Sequence, residues 1–113
     1  MTFLNYPGMH AKISTPDHRP SLVIRSEFDP TEHYFIGKLE PDAKINARSL
    51  KIKNRMRGFS MGSGVKPDED WMVAYASSED EKGIWRLTPK GDLELGEYGL
   101  FDGLRLFAFS VTR

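Results

Sequence analysis

Cysteine is absent from the chain, which excludes a disulfide framework, a thiolate zinc site and a cysteine nucleophile together. No run approaches the roughly 18 apolar residues of a membrane-spanning helix. The opening residues Met1–His10 lack a basic stretch followed by an apolar one, so no secretory leader is expected and cytoplasm is the default. Net charge is also missing. Sixteen basic residues balance sixteen acidic ones at a sequence pI near 6.8, so no global field draws the chain to nucleic acid or an anionic membrane. Internal repeats are lacking, and no segment sustains an apolar period of 3.6 over the about 10 residues that a helix needs.

What is present suits one small domain. The chain has 113 residues, 39% of them hydrophobic, with seven Phe, four Tyr and two Trp to supply buried area. Residues 1–19 read as an irregular N-terminal arm, rich in turn formers such as Pro7, Gly8, Pro16 and Asp17. A sandwich domain is expected over residues 20–113. Leu22–Ile24 is a short β-branched run behind Pro20. Asp29-Pro30-Thr31-Glu32 has the chemistry of one capped helical turn leading into a strand over His33–Leu39, which Pro41-Asp42 should end. Over Ile45–Arg57, Leu50, Ile52, Asn54 and Met56 fall on one face and Lys51, Lys53, Arg55 and Arg57 on the other, the period of a half-buried strand. Trp71–Ala76 and Ile84–Thr88 read as strands around a polar turn at Ser77–Gly83. Asp102-Gly103 between two apolar runs predicts a two-residue type I′ hairpin. The whole predicts an all-β, antiparallel β-sandwich of about seven strands.

The C-terminal third carries a resemblance. Tyr98, following Gly96-Glu97 after a polar turn, resembles the tyrosine corner of immunoglobulin-like sandwiches. Leu87-Thr88-Pro89, Leu93 or Leu95, Gly96-Glu97-Tyr98, then Phe107, Phe109 and Val111 resemble a pattern closing many bacterial β-sandwich domains, Y-x-L-x-P, L-x-x-G-E-Y, F-x-F-x-V. Asp29-Pro30 and Tyr34–Leu39 are similar to their early strand. The likeness spans about residues 20–113, with Trp85 standing where many of those domains have tyrosine. It implies an immunoglobulin-like sandwich and no assigned activity.

Gly58-Phe59-Ser60-Met61-Gly62 satisfies G-x-S-x-G, but the context of a nucleophile elbow is missing. Gly62, Gly64 and Pro67 leave no helix after it, and His10, His18 and His33 all precede the serine. The match is read as chance, and the chain as non-enzymatic. The same loop, Gly58–Lys66, has no G-K-[ST] to close a phosphate cradle. The acids at Asp68–Asp70 and Glu79–Glu81 lack a calcium-loop spacing, so no metal and no cofactor are expected. Trp71, Tyr75 and Trp85 suit sugar stacking only where exposed, and aromatics alternating along strands usually lie in the core.

Charge segregation is the most informative feature. Lys44–Lys66 holds seven basic residues and no acid, while Asp68–Glu81 holds six acids and no base. On a strand, Lys51, Lys53, Arg55 and Arg57 form a stripe about 20 Å long. The favoured expectation pairs that stripe with the acidic segment of its own molecule, across adjacent strands or loops. The other uses are homodimerisation, an acidic partner or another anion. Nucleic acid is not the expected partner, because the stripe lacks interleaved aromatics. The function expected is a β-sandwich module acting by protein–protein contact, with a ligand-binding module for an anionic partner or for glycans as the alternative.

Overall fold

The computed structural model describes residues 2–8, 11–52, 69–103 and 105–113. The chain is all-β. Among the described residues it forms ten strands and two 3-10 turns. The strands are β1 (Thr2–Pro7), β2 (Ser14–Thr15), β3 (Leu22–Arg25), β4 (Phe35–Asp42), β5 (Ala47–Ile52), β6 (Met72–Val73), β7 (Tyr75–Glu81), β8 (Ile84–Pro89), β9 (Gly96–Phe101) and β10 (Leu106–Val111). The 3-10 turns are Pro30–Glu32 and Glu69–Trp71. No helix among the described residues is long and apolar enough to cross a membrane.

Two sheets result. The larger runs β1-β5-β4-β9-β10-β2, with β6 pairing β4, and the smaller runs β3-β8-β7. All pairings are antiparallel except β10 with β2. Positions opposite one another in the ladder share a face. One face of the larger sheet therefore carries Ile36, Tyr98, Leu100, Phe109 and Val111, which form the main core with Leu87 and Leu93. Leu22, Ile24, Tyr75 and Trp85 from the smaller sheet pack against it. Tyr98 and Phe109 stack across the ladder at a ring separation of 5.7 Å. The other face encloses a second cluster of Leu39, Leu50 and Phe101, flanked by Tyr6, Trp71 and Leu106. The middle of the larger sheet is thus buried on both sides. Gly37 and Gly99, opposite each other on β4 and β9, make that possible. A Cβ at Gly37 would sit 2.8 Å from Leu50 Cδ1, and one at Gly99 would sit 2.7 Å from Leu106 Cγ.

The chain between β1 and β2 crosses from one edge of this sheet to the other, and a buried polar cluster fastens it. Arg48 donates from Nη2 to the Pro7 carbonyl (2.9 Å) and from Nε to the Gly8 carbonyl (3.1 Å). Glu97 accepts from the Ala11 amide at 2.8 Å and from Ser110 Oγ at 2.7 Å. Arg48 Nη1 lies 3.8 Å from Glu97 Oε1 and has no hydrogen-bond partner among the described residues. All three side chains are buried.

Several sequence expectations change. The arm expected to be irregular supplies β1 and β2, because β5 and β10 offer it ladders. Pro41 does not end its strand. At residues 40–42 β4 pairs with β5 alone among the described residues, so this stretch is a sheet edge, where proline is tolerated. Ile45 belongs to the 43–46 turn, whose Asn46 has φ 49°, and β5 starts at Ala47. Ser77–Gly83 is not a turn. β7 runs to Glu81 as a hydrophilic edge strand, and the turn is Lys82-Gly83 alone, with Gly83 at φ 81°. The closing hairpin forms, but its ladder starts at Phe101 opposite Leu106, so four residues separate the paired positions in place of a two-residue turn. Gly103 takes φ 98°, while Asp102 stays at negative φ and accepts the Arg105 amide at 2.7 Å. His33 lies outside the strand, exposed, at the end of the first 3-10 turn. Trp71 ends the second such turn and is not in a strand.

Candidate functional site

The site lies where the larger sheet forks. β5 pairs β4 over Ala47–Ser49, and past that point β6 takes up β4 at Ile36 and Gly37. The turn Glu69–Trp71 immediately precedes β6, and Trp71 packs against the second core cluster while lining two surface grooves. The first groove, about 360 Å³, has Pro41, Ile45 and Trp71 as its apolar lining. Its polar lining is Asn5, Glu40, Asp42 and Ser49. These positions follow from register. Asn5, Ser49 and Glu40 stand opposite one another across three strands, and Ser49 Oγ donates to Asn5 Oδ1 at 2.7 Å. Asp42 accepts the Lys44 amide at 3.0 Å, which fixes the turn that holds Ile45 outward at 53% exposure.

The second groove, also about 360 Å³, includes Lys38, Trp71, Val73, Lys90, Leu93 and Glu94. Lys38 Nζ reaches Glu94 at 3.3 Å, and this hydrogen bond raises the lysine above its ordinary pKa. Together the grooves offer an aromatic wall, hydrogen-bonding groups and carboxylates on a shallow surface. That is the make-up of a contact surface, with an apolar centre and a polar margin.

Of the sequence-predicted stripe, Lys51 lies in β5, opposite Phe3 in the ladder, and Lys53, Arg55 and Arg57 lie outside the described residues. The G-x-S-x-G stretch at 58–62 also lies outside them. The acids of β7 are not laid against β5. Among the described residues their strand neighbour is β8, where Arg86 Nε holds Asp80 at 2.8 Å, and Glu79 accepts the Gly83 amide at 2.8 Å. The ladder thus sets acids 79–81 beside β8 and not beside the described part of β5, while the pairing expected for Lys53, Arg55 and Arg57 lies outside the described residues.

Two of the three candidate stacking aromatics are committed to the core. Trp85 Nε1 donates to the Ser26 carbonyl at 3.2 Å, and Tyr75 Oη donates to the Tyr34 and Pro30 carbonyls at 2.7 and 3.2 Å. Burial, then the nearby Asp29 carboxylate, pushes the Tyr75 phenol up to about 12. Its neutral form is the one the fold favours, so this contribution to stability is complete below about pH 10, the phenol's ordinary value. It is lost as the pH rises through about 12. Tyrosine absorbance followed against pH is expected to lose its highest-pH step in Tyr75→Phe. An unchanged titration would contradict the assignment.

No family model, no curated protein and no solved structure matches this chain.

Proposed function

We propose that this chain is a non-enzymatic β-sandwich module of immunoglobulin-like kind, working by protein–protein contact, with a second copy as the partner its charge layout favours. The immunoglobulin-like part is supported by Tyr98, which is buried and donates to the Glu94 carbonyl at 2.8 Å, four residues upstream. The contact part is carried by the groove beside Trp71, where an outward isoleucine and a proline lie among Glu40, Asp42, Asn5 and Ser49. Among the described residues the acids of β7 neighbour β8 and not β5, which supports reading the basic stretch Lys51, Lys53, Arg55 and Arg57 as a complement for acids on another molecule.

Light scattering on the eluted protein tests this. At about 0.01 M salt, with a screening length of about 30 Å, the mass is expected to rise above 12.9 kDa towards twice that value with concentration. At about 1 M, with a screening length of about 3 Å, it is expected to return to the monomer. A monomer at every salt and concentration would overturn the self-association.

A second reading, glycan binding, is favoured by Trp71 lining both grooves beside hydrogen-bonding side chains. It predicts quenching or a shift of tryptophan emission by the ligand.

A further inference from the structure

A separate surface sits on the loop joining β3 to β4, over residues 26–34. Phe28 is 67% exposed, more than any other large apolar side chain among the described residues. The loop that carries it is nonetheless held firmly. The Ser26 amide donates to the Gly83 carbonyl at 2.9 Å, and Trp85 Nε1 donates to the Ser26 carbonyl. Ser26 Oγ donates to the Phe28 carbonyl at 2.6 Å, and Tyr75 Oη ties down Pro30 and Tyr34. The backbone that carries the ring is thus already fixed, so a partner meeting it loses less conformational entropy than on a free loop.

Beside the ring stands a fixed carboxylate. Asp29 Oδ1 accepts the Thr31 amide (3.0 Å), Thr31 Oγ1 (2.9 Å) and Ser77 Oγ (3.3 Å). Its second oxygen, Oδ2, carries no hydrogen bond among the described residues. Phe28, Asp29, Thr31 and His33 line a surface cavity of about 390 Å³. The Thr31 amide first, then its hydroxyl, hold the Asp29 carboxyl below its ordinary pKa, so it is charged wherever a partner would meet it.

We infer that this cavity receives an arginine side chain of a partner protein, the guanidinium lying against the Phe28 ring and donating to Asp29 Oδ2. A planar cation is attracted to an aromatic face, and its fork of N–H groups matches a carboxylate oxygen already oriented by other bonds. The surface is distinct from the Trp71 grooves and does not depend on self-association.

The test titrates N-acetyl-arginine amide into dilute folded protein at about 0.1 M salt, where the screening length is about 10 Å, reading the amide shifts of Phe28, Asp29, Thr31 and His33. N-acetyl-citrulline amide, of like shape and uncharged, is the control. Saturable shifts with arginine, about tenfold weaker with citrulline, are expected. Asp29→Asn should weaken arginine binding about tenfold while keeping the cap, because asparagine accepts the Thr31 amide equally well. Phe28→Ala should weaken it too. Equal binding of citrulline, full binding by Asp29→Asn, no shifts, or shifts centred on Glu40 and Asp42 would each overturn the inference. An unchanged unfolding midpoint for Asp29→Asn separates the loss of a binding group from the loss of the loop.

Discussion

Glu97→Ala is expected to destabilise the fold by about 3–5 kcal/mol, the range for removing one member of a buried ion pair. Glu97 is 4% exposed and Arg48 7% exposed, so the guanidinium left behind would stay out of water with its nearest countercharge gone. The Ala11 amide and Ser110 Oγ would lose an acceptor in the same step. Against a total stability of about 5–15 kcal/mol for a domain, the variant would approach its unfolding threshold. Urea denaturation measures this. The double variant Arg48→Met with Glu97→Leu is expected to recover part of the loss, since no uncompensated charge remains. Recovery stays incomplete because the Pro7 and Gly8 carbonyls lose their donors. A Glu97→Ala loss below about 1 kcal/mol, the scale of an exposed pair, would show that the cluster does not close the sheet.

Gly99→Ala is the second large effect, expected at about 1–3 kcal/mol from overpacking. The added Cβ would meet Leu106 at Cδ1, Cγ and Cδ2, at 2.6, 2.7 and 3.0 Å. Contact with Cγ means that a terminal methyl rotation does not clear it. Gly37→Ala meets Leu50 Cδ1 at 2.8 Å, with the Trp71 carbonyl oxygen in ordinary contact at 3.5 Å, and Leu50 is fully buried with little room to turn. Shortening the obstructing side chain should separate crowding from a simple change in backbone freedom. Leu106→Ala in the Gly99→Ala background is expected to cost less than Leu106→Ala alone, a coupling that a double-mutant cycle reads directly. Strict additivity would contradict the close approach.

These positions explain how much of the molecule the sequence disclosed. β3, β8 and β10 were legible because each is short, β-branched or aromatic, and bounded by turn formers. Asp29 as the cap of a single turn was legible for the same local reason, and its side chain does accept the Thr31 amide. β9 shows no clean alternation, because from Glu97 to Phe101 it is buried on both faces. β7 looked like a turn because its exposed end is acidic, a composition that discourages pairing at a free sheet edge. β1 was hidden by Pro7 and Gly8. Its strand character comes from β5, a non-local partner that composition does not announce.

The candidate groove was less legible than the fold. It is assembled from β1, β4, β5 and the turn before β6, which only the ladder brings together. Trp71 has the sequence setting of a strand residue in alternation, whereas it closes a 3-10 turn. Arg48 carried a usable signal. Counting back by two from Leu50 places it on the buried face, in the opposite phase from Lys51, which separates it from the other cations of the segment.

The contact proposal is tested most directly by the low-salt mass of Ile45→Lys beside that of the unaltered chain. Ile45 stands half in solvent on a turn, so the substitution should leave the fold intact while placing a charge in the groove's apolar lining. The account predicts a concentration-dependent dimer for the unaltered chain and a monomer for the variant. A variant that associates as strongly as its parent would contradict it.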